Sequence, residues 1–149
     1  MFENLEISYP RGQDVLGCLM FQRSDAVNQR IEKVAETVFL KEMLEIEGSF
    51  LSHGQKQWLE IGMLLMQEAQ LVMLDEPVAG MSPAEREQTA ELLKRISNGR
   101  CIIIIDHDME FVSRIAHKVT VLHLGKILAE GSMEQVKNNP KVIDVYLGH

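Results

Sequence analysis

The sequence predicts an α/β protein built around a parallel sheet. Two short apolar runs, Leu71-Val72-Met73-Leu74 and Cys101-Ile102-Ile103-Ile104-Ile105, each lead into acidic residues. Runs of this kind suit strands buried on both faces of a parallel sheet. Helical signals lie between and after them, and strand-helix-strand-helix-strand is the α/β order. The half of the chain before Leu71 reads instead as mostly helical.

Taken in order, Tyr9-Pro10-Arg11-Gly12 reads as a turn. Ser24 is placed to cap a helix whose apolar positions Val27, Ile31, Val34 and Val38 recur at spacings of three and four. Gly48 marks a break. Ser52-His53-Gly54-Gln55 has capping-box spacing, and the helix it opens runs through Trp58, Leu59, Met63 and Leu64 to about Gln67. After the first apolar run, Ser82 caps a helix with Pro83 at its first position and Glu85 completing a second capping box. Ala90, Leu92, Leu93 and Ile96 form its apolar face, and Asn98-Gly99 ends it. A helix through Phe111, Val112 and Ile115 follows the second run. Val119 to Leu122 and Ile127 to Leu128 read as strands joined by Leu124-Gly125-Lys126. Two short helices close the chain, the first capped by Ser132 with Gln135. No internal repeat or low-complexity segment interrupts this order.

The 149 residues suit one domain, and 46% hydrophobic with 25% charged is a globular composition. A net charge of −7 argues against nucleic acid or anionic lipid as direct partners, because both need a basic face. Cys18 and Cys101 have no metal-like spacing, and Cys101, opening an apolar run, is expected to be a buried thiol. Nothing resembles a disulfide scaffold, which favours the cytosol. No apolar stretch approaches the roughly 20 residues of a membrane helix, and no signal peptide is visible. Any membrane role is therefore expected to run through a partner.

Three constellations carry chemistry. Asp75 and Glu76 end a buried strand, at the sheet edge where parallel α/β proteins bind ligands. There the first carboxylate can hold Mg²⁺ through water and the second can orient or deprotonate a water; alone, the pattern equally fits solvated loop acids. Leu51-Ser52-His53-Gly54-Gln55 combines a hydroxyl, a glycine and a helix N-terminus, which suits a phosphate; it also fits an ordinary helix cap. His107, in Asp106-His107-Asp108, follows the second strand to the same sheet edge and can hydrogen-bond a phosphate; an incidental histidine in a capping region is the alternative. The other histidines, His53, His117, His123 and His149, lack metal-ligand spacing.

In order and spacing these residues resemble the ATPase subunits of ABC transporters. Leu51 to Gln55 is similar to the signature motif, with His53 where glycine is common. Leu71 to Asp75 resembles Walker B, with Glu76 as the adjoining catalytic glutamate. Ala79-Gly80-Met81-Ser82 falls at the D-loop, and His107 at the switch histidine. Residues 51–63 and Glu76 to Met81 are similar to urea importers, relatives of the branched-chain amino-acid importers. Asn139-Pro140 through Val145-Tyr146-Leu147-Gly148 resembles that group's C-terminus, and Phe2-Glu3-Asn4-Leu5 the start of its helical subdomain. Ser82 stands where many relatives have Asp, and Asp106 where Glu is usual.

The resemblance implies an incomplete P-loop NTPase fold: a helical subdomain over 1–68 and the C-terminal half of the ATPase core over 69–149. It implies ATP and Mg²⁺ as cofactors of the intact parent. Glu76 would be catalytic base, His107 the γ-phosphate sensor and Asp75 the metal contact, with Ser52, His53, Gly54 and Gln55 binding nucleotide held by a second subunit. Implied partners are a second ABC ATPase subunit and transmembrane permease subunits, at the inner face of the plasma membrane. A non-catalytic module that docks on ABC partners is the alternative; a soluble ABC ATPase of DNA repair or translation fits the acidic charge and residues 51–63 less well.

A Walker A loop requires Gly, four residues, then Gly-Lys-Ser/Thr. The chain's one Gly-Lys, Gly125-Lys126, is followed by Ile127 and preceded at the required position by Thr120. The expectation is therefore a C-terminal part of such a subunit, with weak nucleotide binding and negligible turnover alone. In this fold the Walker A strand lies beside 101–105, so that strand is expected to present an open edge that favours a homo-oligomer or strand-swapped dimer.

Overall fold

The computed structural model describes residues 1–10 and 24–147. Cys18, His149 and the second half of the Tyr9–Gly12 turn lie outside them. The chain forms two compact units, Met1–His107 and Asp108–His149.

The first unit opens with three mutually packed helices: α1 (Phe2–Ile7), α2 (Asp25–Thr37) and α3 (His53–Met66). Each predicted cap forms. Ser24 Oγ accepts from the Val27 amide at 3.4 Å, and Val27, Ile31, Val34 and Val38 are all buried as their spacing requires. Gly62 lets α3 approach closely, since a Cβ there would lie 3.2 Å from Leu5 Cδ2 and 3.4 Å from Val38 Cγ2. Short 3-10 turns, Lys41–Met43 and Gly48–Phe50, bridge α2 and α3. Phe39, in a left-handed conformation at φ 61°, stacks edge-on to Trp58, and the Arg95 guanidinium lies over its ring.

Strands β1 (Leu71–Asp75) and β2 (Cys101–Ile105) pair in parallel, Leu71 opposite Cys101 through Asp75 opposite Ile105. Helix α4 (Pro83–Ile96) connects them and buries Ala90, Leu92, Leu93 and Ile96. The expectation of strands buried on both faces is corrected. Val72 is buried, but the alternate residues, which share the other face, are exposed, Met73 by 62% and Ile105 by 59%. Cys101 lies on that face and is exposed, not a buried thiol. An all-apolar strand has no polar face to show which side is covered, and among the described residues this sheet has only two strands.

In the second unit, α5 (Met109–Ile115) is capped by Asp108, whose Oδ1 accepts from the Glu110 and Phe111 amides at 3.0 Å each. Strands β3 (Val119–His123) and β4 (Lys126–Gly131) pair antiparallel in a hairpin joined at Leu124-Gly125, and β4 is longer than Ile127 to Leu128. Leu124 and Gly125 both have positive φ, as a two-residue hairpin turn with the right twist demands. Helix α6 (Met133–Lys137), capped by Ser132, packs on this hairpin through buried Val136. A helical turn, α7 (Pro140–Val142), and a π turn (Ile143–Leu147) follow.

Candidate functional site

Because β1 and β2 run parallel and in register, their carboxyl ends coincide. The Glu76 amide donates to the Ile105 carbonyl at 2.8 Å, pinning the first residue after β1 to the end of β2. Glu76 adopts φ 46°, which swings the chain into the turn through buried Pro77 and Val78. The turn is closed by the Ala79 amide on Glu76 O at 3.1 Å and the Met81 amide on Val78 O at 3.2 Å. His107, two residues beyond β2, places Nδ1 3.2 Å from Glu76 Oε1. Both side chains are open to solvent, His107 by 82% and Glu76 by 53%. Asp75 is exposed beside them at the end of β1.

The second cluster gathers at the start of α3. Ser52 Oγ accepts from the Gln55 amide at 3.2 Å, while Gln55 Oε1 accepts from the Ser52 amide at 2.9 Å, completing the capping box. His53 Nε2 donates to the Ala79 carbonyl at 3.1 Å, reaching the turn after Glu76. Gly54 is buried, and a Cβ there would sit 2.6 Å from Glu85 Oε1. Glu85 belongs to α4. Its Oε2 accepts from the Ser82 amide at 2.9 Å and the Ser82 hydroxyl at 2.7 Å, and its Oε1 accepts from the Ser52 hydroxyl at 3.4 Å. The Ser82 amide, then the Ser82 hydroxyl, hold the Glu85 carboxyl below the usual carboxylate range, with smaller contributions from Ser52 and the His53 charge.

The candidate residues thus form two clusters: Asp75, Glu76 and His107 at the sheet edge, and Ser52, His53, Gly54 and Gln55 at the α3 cap. Among the described residues no hydrogen bond or ion pair joins them directly; the turn from Pro77 to Ser82 runs between. Sequence reasoning identified Glu85 only as the cap of its own helix. Its bond to Ser52 spans 33 residues, and no local pattern marks it. The same holds for buried Trp58, whose indole donates to Thr89 Oγ1 at 2.9 Å and so ties α3 to α4.

Among the described residues no group of three or more His, Cys, Asp and Glu gathers as a metal cage. A single exposed carboxylate fits an outer contact to a hydrated Mg²⁺, an ion that keeps several waters.

Two parallel strand ends bearing Asp-Glu and His lie beside a capped helix that touches the intervening turn, in a fold consistent with an incomplete P-loop nucleotide-binding domain. A family profile described as "ABC transporter" matches residues 1–79, and one described as "Branched-chain amino acid ATP-binding cassette transporter" matches residues 126–149. The chain belongs to the ABC transporter family.

Its relatives include the high-affinity branched-chain amino acid transport ATP-binding protein LivG of Escherichia coli K12, 37% identical over 115 residues, covering 76% of this chain and 45% of LivG. BraF of Pseudomonas aeruginosa, of the same description, is 36% identical with the same coverage. A probable LivG of Archaeoglobus fulgidus is 30% identical over 85% of this chain and 50% of its own length. The chain therefore matches about half the length of these relatives. Among solved structures, the ADP conformation of an ATP-binding cassette of an ABC transporter superposes with a TM-score of 0.77 at 26% identity, covering 98% of this chain and 63% of that one.

Proposed function

We propose that this chain forms the signature, Walker B and D-loop half of the ATP-binding subunit of an ABC importer. Residues 1–68 would belong to the helical subdomain and 69–149 to the ATPase core. The observation that carries this reading is the Glu76–His107 contact at the shared end of β1 and β2, with Asp75 alongside.

These residues fit the metal and terminal-phosphate end of MgATP; no Gly-Lys-Ser/Thr loop in the sequence fits the rest of the phosphate chain. Bound MgATP supplies the phosphoanhydride whose hydrolysis drives transport. Asp75 would hold the metal through one of its hydrating waters. Glu76 orients a water and accepts its proton, which needs the carboxylate ionised and aimed. His107, donating Nδ1–H to Glu76, would also donate Nε2–H to a phosphate oxygen only with both ring nitrogens protonated. Ser52, His53, Gly54 and Gln55 complete a site on nucleotide held by a second subunit. Positioning supplies most of the catalysis in phosphoryl transfer, so the chain alone is expected to bind nucleotide weakly and turn over negligibly.

Permease subunits would hold the complex at the inner face of the membrane; within the described residues no helix is long and apolar enough to cross it. The relatives' names favour branched-chain amino acids as cargo, while residues 51–63 resemble urea importers. Uptake of labelled leucine against labelled urea by vesicles carrying the assembled transporter separates these. The complete capping of the α3 loop also suits the second reading, a module that docks on an ABC partner without catalysing.

The test mixes this chain with an intact family subunit whose own signature serine is removed. Phosphate release that rises on mixing, and drops at least tenfold with Ser52→Ala, supports the proposal. Inhibition of an unmodified intact subunit instead supports the docking module. Steady turnover by the chain alone, abolished by Glu76→Gln, overturns the half-site reading.

A further inference from the structure

The geometry points to Glu85 as a positioning residue that fastens the Ser52–Gln55 loop to the turn before α4, with the His53–Ala79 contact as a second fastening. Its significance for nucleotide rests on the function proposed above; the fastening itself does not.

A capping box explains only half of what Glu85 does. Its Oε2 meets both donors of Ser82, which is all the cap of α4 requires. Its Oε1 turns the other way, to the Ser52 hydroxyl. At 3.4 Å that bond is long and weak alone, but two features reinforce it. Gly54 leaves open the space the carboxyl group occupies, since any Cβ would lie 2.9 Å from Glu85 Cδ. His53, the adjacent residue of the loop, reaches the Ala79 carbonyl at 3.1 Å. Two polar contacts from neighbouring residues to Ala79 and Glu85, on either side of Ser82, prevent the loop from pivoting about either one. Glycine at 54 thus serves the approach of α4, whatever else it admits.

The hydroxyl of Ser52 has one proton. Its oxygen accepts from the Gln55 amide and its proton goes to Glu85. A phosphate oxygen that takes this proton frees Glu85 Oε1, so occupancy at the loop is felt at the start of α4.

Hydrogen exchange read by mass spectrometry on the full chain tests this. Glu85→Ala should accelerate exchange by about fivefold, the factor for one lost cap, both in residues 52–56 and in 79–86. Ser82→Ala, which disturbs the α4 cap but spares the Ser52 contact, should affect 82–86 alone. Glu85→Gln, which keeps the length and one carbonyl acceptor, should recover most of the protection. Acceleration by Glu85→Ala confined to 82–86 would overturn the proposal. If that variant fails to fold, Ser52→Ala decides: it removes only the hydroxyl that reaches Glu85, so faster exchange at 82–86 supports the fastening and unchanged exchange there rejects it. The coupling is read on the isolated chain, so it stands or falls separately from the mixed-subunit turnover.

Discussion

Glu85 and Glu130 set the direction of the acid response at the scale of single residues. Ser82 holds the Glu85 carboxyl below its ordinary range, and Lys118 then Thr120 do the same for Glu130. A carboxylate whose folded-state pKa is depressed contributes stability that is fully present above its unfolded value. That contribution is lost as pH falls through the lowered folded value. The thermal midpoint should therefore decline as pH drops through and below the carboxylate range, and the decline should be shallower in Glu85→Gln. A midpoint equally steep in that variant would show that Glu85 has no part in it. Glu130 is exposed and paired with a charge, while Glu85 is half-buried and held by neutral donors, so high salt should weaken the Lys118–Glu130 contribution more.

The elements most legible in the sequence were those with local signals. Ser24, Ser52, Ser82 and Ser132 each cap the helix their spacing indicated, and the last three complete a capping box with the residue three positions on. Such caps are decided within one turn of chain, so the sequence carries them entire. Less was legible wherever distant segments meet. Glu85's second bond, the Trp58–Thr89 link and the uncovered face of β2 all depend on neighbours remote in sequence. Gly62 is another such case, read as an ordinary helical position until Leu5 and Val38 are seen against it. Gly62→Leu should force α1 and α2 off α3 and cost about 1–3 kcal/mol, as overpacking does. Urea unfolding monitored by Trp58 fluorescence measures it, and an unchanged midpoint would mean the three-helix contact is softer than this geometry indicates.

For the whole molecule, the strand order and parallel pairing of β1 and β2 were legible from two apolar runs around a capped helix, but the division after His107 was not, since no linker composition marks it. Leu71, Met73, Ile103 and Ile105 present an apolar strip, beside a strand whose outer edge has no partner among the described residues. Strips and edges of this kind pair with other chains. Sedimentation across a concentration series should show self-association, reduced by Ile103→Lys, which places a charge on the strip. A monomer at every concentration would contradict the open-edge reading.

The left-handed turn at Glu76 has one more implication. Residues other than glycine are held in that conformation at a cost of about 1–2 kcal/mol, so the backbone at this position is better suited to glycine, which has no Cβ and no carboxylate to offer. Replacements at 76 ranked by how firmly the protein folds would place glycine near the top; ranked by capacity to take a proton from water, glycine falls to the bottom. A library selected for robustness alone would thus drift away from glutamate here, and the chain that emerged would be sturdier but would lack the carboxylate proposed above to receive the proton.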